Sequence, residues 1–146
     1  MLKKLFQVFR PPQTPATPDP DAELALGALL VRVAQSDRDY QLEEISLIDR
    51  ILRTRYGLDV GGAILLREQA EALEAEAPDT VRFTRAIKDA VPYENRMGVV
   101  EALWQVVLAD GERDAAEDAL LRLSTNLLGV SDVDSARARQ RAEKAL

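Results

Sequence analysis

From Asp21 onward, apolar positions recur at helical spacing almost without a break. Leu26, Leu29, Leu30 and Val33 form one stripe, Phe83, Ala86, Ile87 and Ala90 a second, and Val100, Leu103, Trp104 and Val107 a third. No stretch shows the period-two alternation that a half-buried strand requires. The pattern predicts helices over 21–36, 41–56, 60–77, 80–91, 93–109, 114–128 and 132–145. About seven helices with short connections predict an all-α fold, a compact bundle of antiparallel neighbours.

The stripes also repeat. A shift of 73 residues places Leu30 on Leu103, Val33 on Val106, Asp37 on Asp110, Glu44 on Glu117 and Leu47 on Leu120. Each copy closes alike, with Gly57-Leu58-Asp59 in the first and Gly129-Val130-Ser131 in the second. Glycine suits the left-handed position after a helix, the next apolar residue packs back, and Asp or Ser caps the helix that follows. The expectation is an internal two-fold repeat of one acidic helix-turn-helix unit.

The first twenty residues break the pattern. Leu2, Leu5, Phe6 and Phe9 make a short apolar face among Lys3, Lys4 and Arg10, and prolines follow at 11, 12, 15, 18 and 20. This reads as an amphipathic tip (residues 2–10) on an extended, disordered linker, with the helical domain spanning 21–146. Such a tip fits either peripheral contact with a membrane or partner, or a segment folded back on the domain. Basic residues interrupt it and no small-residue cleavage site follows, so it does not read as a secretory signal. With no apolar run of about 18 residues to cross a bilayer, a cytoplasmic protein is expected, at most peripheral at the inner membrane.

Composition narrows the chemistry. The chain has neither cysteine nor histidine. That removes disulfides, thiolate nucleophiles, Cys/His zinc sites and histidine-based triads. Any metal must be held by oxygen, which favours Ca²⁺, Mg²⁺ or Mn²⁺. The net charge is −6, and since no acid precedes Asp19, the helical part is more acidic still. Such a surface repels phosphate backbones, so no nucleic-acid partner is expected.

The acids gather between paired helices. The first turn reads Asp37-Arg38-Asp39-Tyr40-Gln41-Leu42-Glu43-Glu44, and the second Asp110-Gly111-Glu112-Arg113-Asp114-Ala115-Ala116-Glu117. A turn-borne Asp with a Glu seven residues on brings two carboxylates over one loop, an anionic concavity suited to a hard cation. An EF-hand is excluded, because Ile48 and Leu121 stand where its terminal glutamate would be. The same acids also fit helix capping. Asp114 to Glu117 has the spacing of a capping box, and acids in a first turn complement the helix dipole. In the first turn Gln41 is a poor cap, which leaves Glu44 without a capping partner.

At these residues the chain resembles a known family. The stretches LLVRVAQSDRDYQLEEISLIDRIL and FTRAIKDAVPYENRMGVVEALWQVVLADGERDAAEDALLRLSTNLLGVSD look like the TerB-like group of bacterial tellurite-resistance domains, over roughly residues 22–142. The N-terminal tip and linker are similar to those of a bacterial subgroup. The resemblance implies an all-helical bundle with internal two-fold symmetry, in a setting of tellurite and other chemical stress at the inner membrane face. It also implies metal binding by the acidic turns, which by matched position falls on Asp37, Asp39 and Glu44, and on Asp110, Glu112 and Glu117. The family's turn glycine is present as Gly111 but replaced by Arg38 in the first turn, so the second turn is expected to be the stronger site.

The resulting expectation is a non-enzymatic, cation-binding module without an organic cofactor. The alternative is a helical scaffold that docks basic protein partners or the inner membrane face, its acids serving as caps. No nucleophile–base pair or Gly-rich phosphate loop supports an enzyme. Tyr40, Tyr93 and Trp104 are expected in core or turn roles, and the oligomeric state is left open.

Overall fold

The computed structural model describes residues 21–36, 40–76, 79–109 and 115–145. Seven helices follow in order: α1 (Ala22–Gln35), α2 (Leu42–Tyr56), α3 (Val60–Glu76), α4 (Val81–Ala90), α5 (Tyr93–Ala109), α6 (Ala115–Leu127) and α7 (Asp132–Ala145). Their ends lie within one residue of the ranges predicted from periodicity. Among the described residues there is no strand. The tip, the linker, and the turn residues Asp37, Asp39, Asp110 and Glu112 lie outside the described residues.

Helix α1 is the centre of the molecule. Asp21 caps its start, its carboxylate accepting from the Leu24 N–H at 2.8 Å. Ala25 to Val31, Val33 and Ala34 are all buried, so α1 is enclosed around most of its circumference. It touches α2, α3, α4, α5 and α6. Its closest partner is α3, and Gly27 is the reason: a Cβ there would stand 2.8 Å from the Ala70 Cβ. Arg32 ties down the far end. It bonds the Glu74 carboxylate at 3.2 Å and the Glu74 carbonyl at 3.2 Å, and it lies 4.9 Å over the Phe83 ring. One side chain thereby joins α1 to the end of α3 and to α4.

The helix ends follow the chemistry read from the sequence. Gly57 and Gly129 take left-handed φ of 63° and 74°. Behind them the Leu58 N–H reaches the Arg53 carbonyl and the Val130 N–H the Thr125 carbonyl, each at 3.1 Å, the six-to-one bond of a Schellman ending. Asp59 then accepts from the Gly62 N–H at 2.6 Å, and Ser131 from the Asp134 N–H at 3.2 Å, capping α3 and α7. No helix is long and apolar enough to cross a membrane, among the described residues.

Candidate functional site

Of the six acids singled out as ligands, Glu44 and Glu117 fall in described helix. Glu44 is the third residue of α2 and Glu117 the third of α6. Both are buried, at 4% and 0% relative exposure. Their spacing explains it. Glu44 stands three and four residues before Leu47 and Ile48, and Glu117 four before Leu121, so each begins the inward stripe of its helix. Asp and Glu are rarely enclosed in this way unless they are paired or bind a metal. An acid that merely complements a helix dipole has no need of it.

One expectation is corrected here. Glu44 does have a capping contact, because its Oε1 accepts from the Gln41 backbone N–H at 3.5 Å. The bond is long, but it turns the carboxylate back toward the exit of the first acidic turn. The reciprocal half is present as well, the Gln41 side chain accepting from the Glu44 backbone N–H, so Gln41 completes a capping box although it is an uncommon N-cap residue.

Tyr40, the last residue before α2, leads into a second polar group. Its hydroxyl is buried near Glu71, Asp49 and Arg67 without a hydrogen bond of good geometry. Arg67 bridges the helices there, 2.6 Å from the Asp49 carboxylate and 2.7 Å from that of Glu71. Burial, and then the adjacent Glu71 charge, push the Tyr40 phenol well above its ordinary range. Tyr56 is raised as well, chiefly by burial. Among the described residues, no three acids converge in a way that could hold a metal.

The other two aromatics make polar contacts of their own. Tyr93 is 42% exposed and donates its hydroxyl hydrogen to Asp134 at 2.9 Å. Trp104 is half-buried, donates to the Ser135 hydroxyl at 3.2 Å, and lies beneath the Arg139 guanidinium at 5.1 Å. Arg96, which the sequence reading passed over, spans three carbonyls: Val91 at 2.9 Å, Lys88 at 3.2 Å and Leu128 at 3.3 Å. Its only sequence signal was a position soon after one helix end.

Compared with known proteins, residues 23–140 match the family model described as tellurite resistance protein TerB. No curated protein and no solved structure matches the chain.

Proposed function

The chain belongs to the TerB tellurite-resistance family, and from that premise we propose that it is a non-enzymatic module that holds a divalent cation at its acidic turns. Asp110, Glu112 and Glu117 form the principal set of ligands, and Asp37, Asp39 and Glu44 a weaker one. The observation that carries this reading is the burial of Glu44 and Glu117 at the same place, the third residue of the helix leaving each acidic turn. Buried carboxylates are held by hydrogen bonds, by an opposite charge or by a metal, and a hard cation among oxygen donors suits the acids gathered at these turns. With no histidine or cysteine in the chain, Ca²⁺, Mg²⁺ and Mn²⁺ are the ions to consider.

The bond from the Gln41 N–H to Glu44 favours a second reading for the first turn, in which Glu44 serves as a cap. The module is then a scaffold for basic partners or for the inner membrane face. Thermal melts separate the two. A cation at about 100 times its Kd stabilises by about 2.7 kcal/mol, which is several degrees for a chain of this size. Millimolar Ca²⁺, Mg²⁺ or Mn²⁺ is expected to raise Tm, and Asp110→Asn and Glu117→Gln each to abolish the rise. Unchanged melts and silent calorimetry across all three ions would leave the scaffold reading standing. A role in resistance to tellurite or related chemical stress is then tested by survival of cells carrying Asp110→Asn.

A further inference from the structure

Positions related by the 73-residue shift do opposite things behind the two turns. In the first half α2 packs on α3 around aliphatic side chains. Val31, Ile48 and Leu52 are fully buried, Ala63 nearly so, and Leu66 packs against them. The Asp49–Arg67 ion pair closes the outside of that seam. In the second half the matching positions hold Trp104 for Val31, Thr125 for Leu52, Arg139 for Leu66 and Arg122 for Asp49. Here α7 lies along α5 and makes little contact with α6. Ala136, the counterpart of buried Ala63, is exposed.

The result is an open cavity of about 230 Å³ between α5, α6 and α7. Trp104, Leu121 and Thr125 line its inner side, with Asp118, Arg122, Asp132 and Arg139 around them. The Trp104 indole is held in place by its bond to Ser135. Arg139 is engaged by Trp104 and, at 3.0 Å, by Glu143. Among the described residues, Arg122 and Asp132 have no oppositely charged group within ion-pair distance, on each other or elsewhere. The cavity therefore offers one cation and one anion of its own, over a floor of indole and aliphatic carbon.

We propose that this cavity binds a small aliphatic α-amino acid as its zwitterion. The ligand carboxylate meets Arg122, its ammonium meets Asp132, and its side chain lies on Trp104 and Leu121. Charge-assisted bonds at both ends give orientation, and the apolar floor gives contact area. The volume falls short of the roughly 300 Å³ at which drug-sized pockets begin, which suits a ligand of this size. A singly charged ligand would satisfy only one of the two groups.

Trp104 is the chain's one tryptophan, so its fluorescence reports on this cavity alone. The full chain is titrated with L-leucine and L-methionine, and with the two halves of leucine, 4-methylpentanoate and 3-methylbutylamine; calorimetry runs in parallel. A saturable shift is expected for the amino acids with Kd of about 1 mM or tighter, and binding about tenfold weaker for either half. Arg122→Gln and Asp132→Asn should each weaken leucine about tenfold, and Ala136→Leu, which fills the cavity from an exposed position, should abolish binding. All three variants are at the surface, and an unchanged Tm confirms that each is folded. Equal binding of leucine and its two halves overturns the proposal, because the cavity is then an apolar hole. So does a flat response to both amino acids by both methods, or full retention of binding in Arg122→Gln and Asp132→Asn.

Discussion

At Gly27 helix propensity and packing pull in opposite directions. Alanine in a helix interior is favoured over glycine by about 1 kcal/mol. The added methyl, however, would stand 2.8 Å from the Ala70 Cβ, with backbone behind it on both sides. Overpacking of that kind costs about 1–3 kcal/mol, so packing wins. Gly27→Ala is expected to lower stability by up to about 2 kcal/mol, measured by urea denaturation, and a stabilised variant would show that α3 can slide away. Tyr40 poses the opposite case. Its hydroxyl is buried without a good hydrogen bond, so Tyr40→Phe should be neutral or stabilising, by up to about 1 kcal/mol at pH 7. The folded state raises the phenol's pKa and so favours its protonated form. That contribution is complete below the unfolded value of about 10 and is lost as pH climbs beyond it. Wild-type stability should therefore fall more steeply above about pH 10 than that of Tyr40→Phe, as read from melts across that range.

Among the elements, Arg96 shows how a helix bundle can be secured at its ends. Its guanidinium fork accepts nothing and donates to the last carbonyls of α4 and to the Leu128 carbonyl after α6. A lysine ammonium cannot span three acceptors set in one plane. Arg96→Lys should cost about 1.5–3 kcal/mol, nearly as much as Arg96→Ala, and the two melting curves compare them directly. Helix positions and ends were legible in the sequence because periodicity, the left-handed glycines and the Asp and Ser caps are all local. Gly57, Asp59, Gly129 and Ser131 could be assigned without knowing what surrounds them. The burial of Glu44 and Glu117 could have been noticed, since both fall on the apolar stripes of their own helices. Arg96, Gly27 and the cavity at Trp104 could not, because each depends on which helix lies opposite. Asp118, Thr125 and Arg139 look like ordinary outward residues until α7 is seen to lie apart from α6.

At the scale of the whole molecule, the two halves share their caps and their buried glutamates but not their packing. The first half closes on Gly27, Ala70 and the Asp49–Arg67 pair. The second leaves space beside Trp104. A carboxylate site common to both halves would make them equivalent, whereas a small-molecule cavity in one makes them distinct. Binding at the two kinds of site can also be compared directly. If the cation sits at Glu117 and the amino acid beside Asp118, one residue along α6, leucine titrations with and without Mn²⁺ should give different Kd values. By linkage the cation's affinity must change by the same factor.

The enclosure of α1 has a further consequence, for the order in which the chain is made. A ribosome delivers α1 ahead of every helix that surrounds it, and its α5 and α6 partners arrive only after some sixty more residues have been added. Until then the stretch LGALLVRVA can be covered only in part, by α2, α3 and α4. A fragment ending before α5, at residue 91, should stay unfolded, and chaperones should capture it in translation extracts, whereas the full chain is released. If that fragment instead proves soluble, monomeric and protease-resistant, the first half forms an autonomous unit and α1 needs nothing that comes later.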